Sequence, residues 1–259
     1  MKFDFFKNIL HESINFTEYL CFHIKGEPLL HPQLENFLDA AGQLNFKVNL
    51  TTNGLLINEK ADMLLKKKAL RQLNISLHCS VDNKNISRNY LDNIFNFLDV
   101  YQKNNKIILG LRLWNLNNKN EKIIINNENN LEIFDKLESY FNLNYKISEH
   151  LTTNGLKISD NIYLNFAQQF EWPDMNAKDY SLKGFCYGLR DQIGILVDGT
   201  VVPCCLDRNG HIALGNLKDS TLYDIINGPR ALKIFNGFSE RRVVEKLCVR
   251  CGYRQRFNL

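Results

Sequence analysis

No run of apolar residues in this sequence approaches the roughly 18 to 20 that a membrane-spanning helix needs. The stretch MKFDFFKNILHES spaces its apolar residues as an amphipathic helix does and contains acids, which a secretory signal does not. Charge of one sign is also lacking: 32 Lys and Arg against 28 Asp and Glu leave a formal +4, scattered along the chain, so there is no electrostatic footprint for nucleic acid. No low-complexity tract is present, and Asn126 to Asn130 reads as surface loop. These absences point to a cytoplasmic chain with no membrane span. In a reducing compartment its seven cysteines read as ligands, reactive groups or core fillers rather than disulfides.

What is present is an alternation of short apolar runs with helical spacing, in a chain of 259 residues with a 44% hydrophobic composition. A helix is predicted from Phe3 to Leu10, then a strand from Tyr19 to Ile24 and a helix from Pro32 to Leu44. The unit recurs as strands at Phe46–Leu50, Leu73–Leu77 and Ile107–Leu113, with helices near Glu59–Lys68, Asn85–Tyr101 and Leu131–Phe141. A last weak strand is expected at Asn144–Ser148. This is an α/β pattern, a parallel sheet covered by helices, and in such sheets function gathers on the loops at the strands' C-terminal ends. Those loops read Lys25–Pro28, Thr52–Gly54, His78–Ser80 and Trp114–Asn115, all polar or glycine-bearing.

Beyond residue 150 the pattern changes. No clear strand is expected between Leu151 and Gly184, which suits a long connection. Gln192–Val197 and Thr200–Val202 then flank Asp198-Gly199, the signal of a hairpin closed by a type I′ turn. Two short helices follow, at Leu222–Ile226 and Arg230–Phe235.

Four cysteines frame this second region: Cys186 before the hairpin, Cys204 after it, and Cys248 and Cys251 as C-x-x-C. A C-x-x-C pair can grip one metal centre, and two further cysteines at a tight hairpin can join it. Four thiolates suit zinc or an iron–sulfur cluster equally, and spacing alone does not choose. Cys21 and Cys79, in or beside strands, read as small buried hydrophobes. Cys204 and Cys205 are adjacent; on a strand their side chains would point to opposite faces, so the two do not easily serve one centre, and the x4 spacing from Gly199 selects Cys204 as the ligand and leaves Cys205 a bystander.

The run from Cys186 through ILVDGTVVPCCLD to the distal C-x-x-C resembles the SPASM and twitch modules of radical S-adenosylmethionine enzymes. The resemblance implies the shorter, twitch-type variant, with one auxiliary [4Fe-4S] cluster on Cys186, Cys204, Cys248 and Cys251. The first half is similar to the same family in order along the chain: HIKGEPLLHP, TTNG, NISLH and LRLWN. By that resemblance Gly26, Glu27 and Pro28 form the loop that meets the methionyl ammonium of S-adenosylmethionine. Ser76 faces the ribose, Arg112 pairs with the methionyl carboxylate, and Asn53 and His78 belong to the same rim.

The family's C-x-x-x-C-x-x-C is not in the sequence, and the family's first barrel strand has no counterpart before Phe3. The expectation is therefore an incomplete (β/α) radical S-adenosylmethionine partial barrel over 1–150, lacking its first strand. It should leave an unpaired edge and a bare apolar face on the first helix. A connection over 151–183 and a hairpin-plus-helices cysteine module over 184–259 complete the arrangement. The implied reaction is radical modification of a peptide or small-molecule substrate, not supported by this chain alone, with a reductase or a missing N-terminal fragment as partners. The alternatives are a non-catalytic iron–sulfur protein for electron transfer or partner binding, and a zinc-stabilised structural module.

Overall fold

The computed structural model describes residues 1–77, 89–103, 107–119, 122–124, 128–152 and 155–257. The expected helix at residues 85–88, the loop holding His78 and Cys79, and Asn126 lie outside the described residues. The chain forms two compact units, one of Glu18–Gln169 and one that joins Met1–Thr17 to Phe170–Leu259.

In the first unit the parallel strands are β1 (Tyr19–Phe22), β2 (Lys47–Thr52), β3 (Leu70–Ser76), β4 (Ile108–Lys119) and β7 (Ile162–Gln168). They pair in that order, every contact parallel. Strand β5 (Lys122–Ile124) pairs antiparallel with β4, and β6 (Leu156–Ser159) antiparallel with β7. The intervening helices are α2 (Leu34–Gln43), α3 (Ile57–Leu65), α4 (Tyr90–Gln102) and α5 (Glu128–Phe141). One face of the sheet is apolar. Leu50, Leu73, Leu111 and Leu164 lie in neighbouring register there and are all fully buried. Period-2 alternation gives the other face Asn49, Thr51, Gln72, Asn74, Ser76, Arg112 and Asn165, mostly half-buried. A parallel sheet would ordinarily be apolar on both sides. This one keeps a polar face because carboxamides bond each other across it: Gln72 Nε2 donates to Asn74 Oδ1 at 2.8 Å. Gly110, between them in register, leaves the room; a Cβ there would come within 2.6 Å of Asn74 Oδ1 and 3.0 Å of Asn165 Nδ2.

Three expectations are corrected here. The region 151–183 is not strandless. Leu156, Ile158, Ile162, Leu164 and Phe166 alternate about the turn Asp160-Asn161, where Asn161 takes a positive φ of 57°, and β7 extends the parallel sheet. Asn144–Ser148 is not a strand. Its chain turns into a 3-10 helix at Ile147–Glu149, because Ile147 N–H donates to the buried Glu138 carboxylate at 2.7 Å and Lys146 pairs with the same group at 2.7 Å. Cys21 is exposed rather than buried, since β1 is the edge strand and among the described residues pairs with β2 alone.

The second unit begins with α1 (Phe3–Ser13). Its apolar face is buried at Phe6, Ile9 and Leu10, not bare as expected. Ile9 joins Val201, Leu217, Leu222 and Ile225 in one core. The Glu12 carboxylate accepts the Leu222 N–H at 2.7 Å, at the start of α6 (Leu222–Ile226). The expected boundary at residue 150 thus differs from the compact units, which place this helix with the cysteine-bearing residues. The hairpin β8 (Gly194–Ile195) and β9 (Thr200–Val202) carries β10 (Gly215–Asn216) on the other side of β9. Its turn is not type I′. Gly199 N–H bonds to Leu196 O at 3.0 Å, and only Gly199 takes a positive φ, 97°, which makes a three-residue loop with a glycine bulge. Helix α7 (Pro229–Ser239) and the single turn α8 (Lys246–Val249) complete the unit around Ile212, Ile234, Phe238, Val243 and Leu247.

Gly54, after β2, has a φ of 81°, and a Cβ there would meet Ile75 Cγ2 and Ile94 Cδ1 at 2.9 Å and Tyr90 Oη at 3.0 Å. Gly54→Ala is expected to destabilise the first unit by roughly 2 to 4 kcal/mol, from left-handed strain plus overpacking. Gly26→Ala, with a similar φ but open space, should cost only about 1 to 2 kcal/mol. Urea denaturation followed by circular dichroism compares the two.

Candidate functional site

The loops at the C-terminal ends of β1 and β2 are tied together by one carboxylate. Glu27 Oε1 accepts from Leu29 N–H at 3.0 Å and from Thr52 Oγ1 at 2.6 Å, and Oε2 accepts from Asn53 N–H at 2.7 Å. Pro28 opens the 3-10 turn Pro28–Leu30 that Glu27 caps, its ring meeting the geometry of a first helical position where no N–H is needed. Thr52 Oγ1 in turn accepts Gly54 N–H at 3.0 Å, and Asn53 Oδ1 accepts Leu55 N–H at 2.9 Å. From α4, the Tyr90 hydroxyl donates to Asn53 O at 2.7 Å and lies 3.4 Å from Ser76 O. Three rim loops are therefore fastened by Glu27 and Tyr90. This changes the expected part of Glu27: its oxygens already hold three protein donors, which makes it the brace of the rim. The open side of the loop is at Gly26, where a Cβ would meet nothing within 4 Å.

Arg112 and Ser76 are register partners on β4 and β3. The guanidinium lies 4.7 Å over the Trp114 ring and its NH1 is 3.4 Å from Thr51 Oγ1, so the cation is held over the polar face. Burial and the nearby guanidinium together push the His23 imidazole below its ordinary pKa. Sequence reasoning missed Thr52, Tyr90, Trp114 and His23, although Trp114 stood in a quoted motif. His78 lies outside the described residues.

In the second unit the structure brings the four cysteines together. Gly188 stands between Cys186 and Cys204: a Cβ on it would be 3.8 Å from Cys186 Sγ and 3.8 Å from Cys204 Cβ. Gly188 N–H donates to Cys186 Sγ at 3.5 Å, and Leu189 N–H to Pro203 O at 3.1 Å, which fixes one cysteine loop on the other. Beyond Cys204, the buried Asp207 accepts His211 N–H at 2.9 Å and Ile212 N–H at 2.7 Å. Cys248 sits on the turn α8 and Cys251 just beyond it, joined by Cys251 N–H to Cys248 O at 3.3 Å. The approach to that turn is held by the bidentate pair Arg230–Glu245, at 2.8 and 2.9 Å. Burial pushes all four thiols up, Cys204 to about 12; Cys204 and Cys251 also feel Cys186, Cys248 feels Cys204, Cys186 and Cys251, and the Arg254 guanidinium pulls Cys186 the other way. Cys204 and Cys205 lie in a turn beyond β9 rather than on a strand, so strand alternation is not what separates them. Cys205 is nevertheless turned aside, its Sγ directed to Gln192 Oε1 at 3.9 Å. Four soft donors, half-buried at Cys186, Cys204 and Cys248 and buried at Cys251, suit a soft metal centre, and these residues could hold one.

Residues 186–252, from the first of these cysteines to just past the last, match the family model described as SPASM, an iron-sulfur cluster-binding domain. The chain thus carries a match to a SPASM domain over that span. Its fold is similar to BtrN solved in complex with AdoMet and 2-DOIA, with TM-score 0.58 and 16% identity over 97% of this chain and 80% of that one. It is similar also to SuiB of Streptococcus suis bound to S-adenosylmethionine, with TM-score 0.56 and 18% identity over 95% of this chain and 62% of that one. At such identities the likeness shows the fold alone, an α/β partial barrel on a parallel sheet. Among curated proteins, Molybdenum cofactor biosynthesis protein 1 of Dictyostelium discoideum is 27% identical over 218 residues. That match takes in 74% of this chain but only 32% of the relative's length. Iron–sulfur and S-adenosylmethionine binding are properties of the radical S-adenosylmethionine family. Among the described residues no helix is long and apolar enough to cross a membrane.

Glu27→Gln would put an amide N–H against the donors now facing Glu27. It is expected to cost about 1 to 3 kcal/mol and to speed amide hydrogen exchange at Leu29, Asn53 and Gly54, with the second unit unaffected.

Proposed function

We propose that Cys186, Cys204, Cys248 and Cys251 hold one auxiliary [4Fe-4S] cluster, and that the loops after β1 to β4 receive S-adenosylmethionine. In this reading the chain works in radical modification of a peptide or small-molecule substrate. The observation that carries it is the convergence of four thiols within the span that matches the SPASM domain. Bound there, the cluster supplies one-electron chemistry.

For S-adenosylmethionine, the open backbone at Gly26 offers carbonyls to an ammonium, while Glu27 and Pro28 hold that loop in shape. Arg112 offers a fixed cation to a carboxylate, and Ser76 beside it a hydroxyl. Asn53 keeps its carbonyl toward Tyr90 and shapes the rim between them. His78 is a rim candidate on sequence grounds alone. For the substrate, BtrN is solved with 2-DOIA and SuiB with the precursor peptide SuiA, so both substrate classes stay within the proposal. A reductase is the expected source of electrons, and a cytoplasmic setting suits cysteines that form no disulfide among the described residues.

The 259 residues contain no C-x-x-x-C-x-x-C, so the electron that cleaves S-adenosylmethionine must enter through a centre outside them. Dithionite-reduced protein of this sequence is expected to yield no 5′-deoxyadenosine by liquid chromatography, and a catalytic yield would contradict the assignment. Anaerobic reconstitution should give about four iron and four sulfide per chain, with the absorption and electron paramagnetic resonance of a [4Fe-4S] centre. Cys204→Ser should lower iron content by half or more, and Cys205→Ser should leave it unchanged. A colourless protein holding one zinc would overturn the cluster assignment.

A further inference from the structure

Arg254 is 1% exposed and is among the largest fully buried side chains of the molecule. It lies three residues beyond Cys251, in the 3-10 turn Tyr253–Phe257. Nε donates to Cys248 O at 3.0 Å, NH1 to Lys183 O at 3.1 Å and NH2 to Ser181 O at 2.8 Å. The carbonyls belong to the two segments that deliver Cys186 and Cys248. They satisfy the N–H groups but bring no net charge. The sulfur groups whose charge reaches the guanidinium are those of Cys251, Cys248 and Cys186.

We propose that Arg254 is a buried counter-charge to the cluster, one that makes its one-electron reduction easier. The inference rests on the reading that these cysteines hold a [4Fe-4S] centre. Four thiolates around an oxidised core leave two negative charges, and one electron from an external reductant makes them three, with no proton moved. A permanent cation inside the same low-dielectric shell stabilises the more negative state more, so it raises the reduction potential. Arginine suits the position because its charge persists when buried and its fork of donors can bond three carbonyls at once. A lysine could keep the charge but not the fork.

The test reconstitutes the wild type, Arg254→Lys, Arg254→Gln and Arg254→Met anaerobically, then follows a mediated dithionite titration by electron paramagnetic resonance. Wild-type protein without a cluster would sink the cluster reading itself, before any variant is compared. With wild-type iron and sulfide content in all four, the midpoint should move to more negative potential in Arg254→Gln and Arg254→Met. It should stay near the wild type in Arg254→Lys. Loaded neutral variants with an unchanged midpoint would overturn the proposal. If the neutral variants fail to load, the chelated apoproteins decide by thermal circular dichroism. A wild-type melting curve with cluster loss supports a counter-charge, whereas unfolded apoprotein in the Lys and neutral variants alike leaves Arg254 a backbone clamp and overturns it.

Discussion

Four sulfurs held near one another in a buried site do not attract. Burial and their mutual charge both oppose their ionisation, so the scaffold alone must hold them together. It does so with polar groups fully engaged by protein. Asp207 takes two backbone N–H groups beyond Cys204, Glu245 takes the Arg230 fork before Cys248, and Arg254 takes three carbonyls between the ligand segments. Asp207 and Arg254 are charged side chains out of water whose bonds are made within the chain, the condition under which burial is tolerated, and Glu245 is half-buried. The apolar core of Ile234, Phe238 and Leu247 then packs against Cys186 and Cys248 from behind.

The first unit solves a different problem with the same means. A parallel sheet with one polar face must satisfy that face internally or present it to a ligand. On β3 the carboxamides of Gln72 and Asn74 bond each other, and at the strand ends Glu27 and Tyr90 take up the loop N–H and carbonyl groups. What stays open is the backbone at Gly26 and the cation of Arg112 over Trp114. A rim braced in this way offers a few fixed polar groups rather than a flexible collection, which is what recognition of a charged small molecule requires.

Much of this was legible in the sequence. Strands β1 to β4 and helices α2 to α5 follow from period 2 and period 3.6 in contiguous residues, and the cysteine set follows from spacing. The illegible parts depend on contacts distant in sequence. Strand β7 was hidden by the polar neighbours of its alternating Ile162, Leu164 and Phe166, and its place beside β4 is a tertiary fact. Ile147 looked extended, but the Glu138 carboxylate on the preceding helix captured its backbone. Glu27 read as a ligand group because its motif says only that an acid follows a glycine, not that three donors already face it. Arg254, in the polar string Tyr253-Arg-Gln-Arg-Phe257, looked like surface, since burial of an arginine leaves no periodic mark.

Helix α1 and the α6 N-terminus that Glu12 caps are 210 residues apart in the chain. The helix that comes early in the sequence therefore acquires its core of Val201, Leu217, Leu222 and Ile225 only after the whole sheet unit has been synthesised. Until then Phe6, Ile9 and Leu10 have none of the module's apolar residues to cover them. Closure of this long loop is a late and entropically costly step in folding. The consequence is a chain whose cysteine unit cannot form from its C-terminal residues alone, so the gathering of its thiols is coupled to the return of a segment made long before them.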